Sequence, residues 1–171
     1  MNKRTTILLA ALLPAPLVAL NAASPPWQIG AFETDTAGFP AFRYHGVVLE
    51  AAQLEYRPHD DLIYPSVVRV AGRVANPLGR FYLYYAPHDA PGGICLAYAD
   101  KPEGPWREYT NNPIISREWS PHYKASHVSG PDAIWSEDEG RWCLFFNIGP
   151  RLRNKIALAV AGPFRTHANE P

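Results

Sequence analysis

The chain has 171 residues, and its 16 basic and 16 acidic side chains give a formal net charge of zero at pH 7. Neither sign accumulates in one stretch, which excludes the basic footprint of a protein that binds nucleic acid or an anionic membrane. A neutral ligand such as a sugar fits this balance better than a charged polymer.

Residues 1–23 have the pattern of a secretory signal peptide. Lys3 and Arg4 precede an apolar run, and small residues around Ala22 and Ala23 follow it. The apolar run is short and contains prolines, which argues against a membrane span. We therefore expect a secreted or periplasmic protein with no membrane contact in its mature form. An uncleaved N-terminal anchor is the alternative.

Residues 24–61 form an irregular segment rich in proline, glycine and aromatic residues. We expect edge strands at residues 41–45 and 47–49. Many propellers close by letting an N-terminal strand complete the last blade, and this segment is the candidate for such a closing strand.

The rest of the chain contains one segment twice, about 66 residues apart. In each copy an apolar strand follows Pro65 or Pro131, and an aromatic strand and a third strand come next. The predicted aromatic and third strands are residues 81–85 and 94–99 in the first copy, and 142–146 and 156–161 in the second. Hairpin-linked strands at this period are typical of β-propeller blades. We therefore predict an all-β fold of antiparallel sheets, with blades at residues 62–110 and 131–171 joined by a long loop.

Two blades do not close a propeller, because each blade hides its apolar faces only against its neighbours. A truncated product that lacks its C-terminal blades is the preferred interpretation. A small two-sheet protein that needs nothing more, or a partner chain that supplies the missing blades, is the alternative.

The two cysteines, Cys95 and Cys143, each lie within a predicted strand among apolar neighbours. This position favours buried free thiols, although an exported protein could also form a disulfide. Cysteines and histidines at zinc-binding spacing are absent from the sequence, as is a glycine-rich phosphate loop after a strand. We therefore predict no metal and no other cofactor.

Candidate ligand-binding residues lie in the loops and strand starts that line one end of a propeller funnel. Asp132 follows Gly-Pro at the start of the innermost strand of the second blade, and His127 lies just before it. His88 and Asp89 follow the first aromatic strand, and we expect them beside Asp132. Carboxylates and imidazoles can bind sugar hydroxyls or move protons. A turn-capping role for Asp132 and a structural role for the histidines remain open.

A second group of carboxylates, Glu103, Glu137, Asp138 and Glu139, lies in short turns on the opposite rim. Turns of this kind face water, so we interpret these residues as solvated rather than catalytic.

Five stretches of the sequence carry a family resemblance over residues 61–161: PSVVRV, NPLGRFYLYYAPHD, GGICLAYADKPEGPW, NNPII and HVSGPDAIW. They resemble the five-bladed propeller glycosidases of glycoside hydrolase family 43 and its relatives in the arabinanase, levansucrase and invertase superfamily. The resemblance implies a partial five-bladed propeller that takes a carbohydrate ligand. It also implies three carboxylates: an Asp base on blade one, an Asp on blade two that tunes the acid, and a Glu acid on blade three.

The match to these carboxylates is partial. Asp132 matches the blade-two residue, but the chain reads Tyr-Pro-Ser from Tyr64 where the blade-one base is expected. Asp61 or Asp89 is a candidate substitute for the base, Tyr64 becomes a candidate sugar contact, and the blade-three Glu would lie beyond Pro171. The resemblance thus implies a glycoside-hydrolase-like protein that acts on or binds poly- or oligosaccharide without being catalytically complete alone. A non-catalytic lectin-like module or an inert truncated product is the alternative.

Overall fold

The structure, a computed structural model, describes residues 38, 40–58, 60–87, 92–150 and 153–162. The chain divides into two compact units, Met1–Tyr44 and His45–Pro171, and the strands described below lie in the second. The described residues contain no α-helix, and a single 3₁₀ turn occupies Ala51–Gln53. Within the same residues, no helix is long and apolar enough to cross a membrane. The predicted signal segment, residues 1–23, lies outside the described residues.

The described residues of the second unit contain three antiparallel sheets. The first sheet has four strands in sequence order: β1 (Leu62–Arg69), β2 (Phe81–Pro87), β3 (Cys95–Ala99) and β4 (Arg107–Glu108). A small hairpin follows: β5 (Glu118–Trp119) and β6 (Tyr123–Lys124). The last sheet has three strands in sequence order: β7 (His127–Ser136), β8 (Arg141–Gly149) and β9 (Lys155–Ala161).

The first and last sheets are two copies of the same arrangement. Phe81 lies opposite Ala99 in the first sheet, and the residues at the same place of the repeat, Trp142 and Ala161, lie opposite each other in the last. Strands that pair in sequence order form the meander of a propeller blade. The prediction of an all-β fold built from antiparallel, blade-like sheets is confirmed, and the arrangement is that of a partial β-propeller.

The predicted edge strands at residues 41–45 and 47–49 are wrong, because these residues form no strand. The backbone at residues 55–56 is bound by a side chain and not by the hydrogen bonds of a neighbouring strand. The Glu108 carboxylate accepts backbone hydrogen bonds from the N–H groups of Glu55 at 2.5 Å and Tyr56 at 3.1 Å. The segment places Leu54 on the outer face of the first sheet. It completes a buried cluster there: Leu54, Leu83, Tyr85, Cys95 and Ala97.

The two blade-like sheets meet at a second apolar core. β1 and β2 both lie against β7. Four buried residues form this core. Phe146 lies on β8, Val128 on β7, Ile94 directly before β3, and Ile115 before β5. Alternation of side chains along a strand sends Phe146 into this core and its neighbour Phe145 to the other face, so the exposed fractions are 2% and 36%.

The outer face of the last sheet is apolar and uncovered in the described residues. Its exposed side chains come from β7, β8 and β9: Ile134, Phe145, Ile156 and Leu158. Tyr84 and Ile94 occupy the places of Phe145 and Ile156 in the first sheet, where the last sheet packs against them. The exposed face therefore repeats a surface that is built to be covered by another sheet.

This face is expected to bind a hydrophobic dye, and the double substitution Ile156→Thr and Leu158→Thr is expected to lower the dye fluorescence. Threonine keeps the β-propensity of the strand while it reduces the apolar surface. The matched control is Val67→Thr on β1, which is exposed but lies outside this face. Fluorescence that is absent from the parent protein, or equal in the two variants, would show that the face is covered in solution.

Cys95 and Cys143 are free and buried, as predicted. Burial and the nearby Glu108 carboxylate raise the pKa of the Cys95 thiol, a hydrogen bond with Tyr85 partly opposes the rise, and the resulting pKa is about 12. A thiol with this pKa stays protonated at neutral pH, so Cys95 serves as a core residue and not as a nucleophile.

Candidate functional site

The innermost strands of both sheets, β1 and β7, carry an irregularity at the same place of the repeat. The register of β1 shifts between Ile63 and Ser66, and the register of β7 shifts between Ser129 and Asp132. A proline lies in each shift, where its missing N–H interrupts no ladder hydrogen bond. For this reason β7 extends back to His127, whereas the sequence predicted that the strand would start after Pro131.

The residue before each proline has a left-handed backbone. Its φ angle is +55° at Tyr64 and +62° at Gly130. Glycine adopts this conformation freely, but for tyrosine it costs about 1–3 kcal/mol. The Tyr64 side chain is also 54% exposed. A strained aromatic residue is therefore presented at the surface of an innermost strand, a combination that is typical of functional positions.

Substitutions at these two positions are expected to change stability in opposite directions. Tyr64→Gly should raise the free energy of unfolding by about 1 kcal/mol, because relief of strain outweighs the added chain entropy. Gly130→Ala should lower it by about 1–3 kcal/mol, since a Cβ atom there would also lie 2.7 Å from Asn147 Nδ2. Urea unfolding measures both changes, with Tyr64→Phe as the control that keeps the strain. A stabilising Gly130→Ala or a destabilising Tyr64→Gly would contradict the assigned backbone conformations.

Ser66 and Asp132 follow the two prolines and occupy the same position of the repeat. The Ser66 hydroxyl donates a hydrogen bond to Asp132 Oδ1 at 3.1 Å and accepts one from the Ala133 N–H at 3.1 Å. Asp132 is exposed and Ser66 is half-buried. The serine therefore orients one oxygen of the carboxylate, and the exposed side chain remains accessible to a ligand.

The other predicted site residues have different surroundings. His127 is the first residue of β7, and its Nε2 lies 2.8 Å from Ser129 Oγ. Ser129 is buried, with 2% of its surface exposed. This contact fixes the imidazole against the strand. Asp61 is exposed and directly precedes β1. His88 and Asp89 lie outside the described residues, so their placement beside Asp132 stays a prediction.

The turn carboxylates of the opposite rim are exposed, as the sequence indicated. Glu137 accepts hydrogen bonds from Arg73 at 2.5 Å and from the indole N–H of Trp135 at 3.0 Å. Glu139 pairs with Arg141. The first contact connects the turn after β7 to the loop after β1, and the others stiffen the turn, so Glu137 and Glu139 have structural roles.

A cavity of about 350 Å³ lies beside the β5–β6 hairpin. Its lining includes two cationic side chains, one carboxylate and one phenol: Arg117, Lys124, Glu118 and Tyr56. Sequence reasoning missed this site, because Tyr56 is far from the hairpin along the chain. The signal that was present is the run of charged and aromatic residues from Arg117 to Lys124. Within the described part of the chain, no group of three or more histidine, cysteine, aspartate or glutamate side chains could hold a metal ion.

The fold places this chain among all-β proteins with blade-like antiparallel sheets, in a partial propeller arrangement. Comparisons with family models, with curated proteins and with solved structures found no match to the chain.

Proposed function

We propose that this chain is an exported, glycoside-hydrolase-like propeller protein that binds oligosaccharide at the surface of its two innermost strands. The observation that carries the proposal is the hydrogen bond from Ser66 Oγ to Asp132 Oδ1 at 3.1 Å. It joins two residues that occupy the same position in the two repeats. The carboxylate is exposed and held in place, as a residue that contacts a ligand needs to be.

The chemistry of the neighbouring residues supports a sugar ligand. A carboxylate oxygen accepts hydrogen bonds from sugar hydroxyls, and an exposed aromatic ring offers an apolar face for stacking on a sugar ring. Asp132 and Tyr64 supply these two groups on neighbouring strands.

Hydrolysis would require a second carboxylate, because glycoside cleavage uses one protonated acid and one ionised base. In the first sheet Ser66 stands at the place that corresponds to Asp132. This serine favours the second candidate, a lectin-like module that binds sugar without cleaving it. The first candidate, a glycoside-hydrolase-like enzyme, requires that Asp61, Asp89 or a group outside the described residues supply the second carboxylate.

The test is a panel of neutral arabino- and fructo-oligosaccharides, examined by calorimetry for binding and by product analysis for cleavage. Binding of at least one member is expected. Cleavage would identify an enzyme, and binding without cleavage would identify the lectin-like module. The proposal fails if no member is bound or cleaved.

A further inference from the structure

The cavity beside the β5–β6 hairpin is a second place where a ligand could be held. It has a volume of about 350 Å³, at the lower end of the range for small-molecule sites, and its lining shares no residue with the Tyr64, Ser66 and Asp132 surface. Backbone and side-chain groups of the second compact unit form all of its walls.

The walls of the cavity are held by specific hydrogen bonds. On one side the Tyr56 hydroxyl donates to the Gly92 carbonyl at 3.1 Å. On the hairpin side the Ala125 N–H donates to the Arg117 carbonyl at 2.8 Å, and the Ser116 hydroxyl donates to the Glu118 carbonyl at 2.6 Å. These bonds fix the backbone from which the exposed side chains of Arg117, Glu118 and Lys124 extend at the cavity.

The charges around the cavity do not balance. Lys124 Nζ pairs with Glu118 Oε2 at 3.1 Å. The structure gives the Arg117 guanidinium no hydrogen bond or ion pair with any described residue. Burial raises the pKa of Tyr56, and the positive charge of Arg117, which lines the same cavity, partly opposes this rise. The cavity lining therefore carries one positive charge without a described partner, together with the Tyr56 hydroxyl, whose oxygen can accept a hydrogen bond.

We propose that this cavity binds the carboxylate of an acidic sugar unit, so that an oligosaccharide containing a uronate binds this protein more tightly than a neutral one. The proposal rests on the carbohydrate-binding function above and narrows its substrate class. Arginine binds a carboxylate through two parallel N–H donors, and Lys124 is close enough to the same cavity to add a third. The Tyr56 oxygen accepts a hydrogen bond from a neighbouring sugar hydroxyl.

The test uses trigalacturonate as the probe and its fully methyl-esterified form as the neutral counterpart, both measured by calorimetry at low salt. Trigalacturonate is expected to bind, and the ester is expected to bind at least about tenfold more weakly. Arg117→Gln should weaken trigalacturonate binding by a similar factor, whereas Glu118→Gln should strengthen it, because Lys124 loses its competing partner. Arg80→Gln removes the same charge from an exposed residue outside the cavity and should change nothing.

Three results would overturn the proposal. They are equal binding of the acid and its ester, an Arg117→Gln variant that binds like the parent, and a short poly-glutamate peptide that binds as tightly as trigalacturonate. The last result would identify a site for acidic peptides. Failure here is distinguishable from failure of the proposed function, because neutral oligosaccharides would still bind and would still depend on Asp132.

Discussion

The Asp132→Asn variant is expected to lose about 100-fold or more of any oligosaccharide cleavage that the parent protein shows, which is the scale of acid–base assistance. The amide has the shape of the carboxylate, and its oxygen still accepts the hydrogen bond that the Ser66 hydroxyl donates at 3.1 Å. Only the charge and the capacity to exchange a proton are removed. If the parent binds sugar without cleaving it, the same variant is expected to bind at least about tenfold more weakly. Initial rates and calorimetric titrations measure the two effects.

The control for this variant is Asp138→Asn, which removes one carboxylate from an exposed turn of the same sheet. It is expected to leave cleavage, binding and thermal stability unchanged. Both variants should have the same melting temperature as the parent protein, since neither substitution changes a buried group. Unchanged turnover and unchanged binding in Asp132→Asn would remove Asp132 from the site.

The Phe146→Ala variant is expected to lower the free energy of unfolding by about 3–5 kcal/mol, the usual cost of removing a buried phenylalanine. Phe146 is 2% exposed, lies in the core between the two sheets, and has its ring centroid 6.3 Å from that of Tyr123. Removal of its ring leaves a cavity where both sheets and the residues between them, including Ile115 and Tyr123, pack together. Urea unfolding followed by tryptophan fluorescence measures the change.

The neighbouring residue supplies the matched control. Phe145 is 36% exposed on the opposite face of β8, so Phe145→Ala removes the same atoms but much less buried contact. Its effect is expected to be less than half of that of Phe146→Ala. Equal effects at the two positions would show that the sheets do not pack in solution as described.

Much of the fold could be predicted because the same pattern of strands occurs in both copies of the repeat. Alternating apolar residues and the Gly-Arg-aromatic starts of β2 and β8 are local signals, and the structure has strands at both places. The strands predicted at residues 41–45 and 47–49 are not formed. Further along the same segment, the Glu108 carboxylate accepts hydrogen bonds from the amides of Glu55 and Tyr56, a non-local contact that no nearby residue in the sequence indicates.

The position of Asp132 on an innermost strand could be predicted, but its partner could not. Aligning the two repeats at Pro65 and Pro131 would have placed Ser66 at the position of Asp132. That alignment does not show that the two side chains touch. The register shift that admits Pro131 into β7 was also missed, because proline was interpreted as a strand boundary. The cavity at Arg117 depends on a contact with Tyr56 that only the folded chain provides.

The most direct test of the carbohydrate-binding surface is a map of backbone amide shifts by NMR while a binding oligosaccharide from the neutral panel is added. The largest shifts are expected on Asp132, on Ser66, and on Ala133, whose N–H donates to the Ser66 hydroxyl. Shifts that spare all three residues while they affect other parts of the chain would contradict the proposed surface.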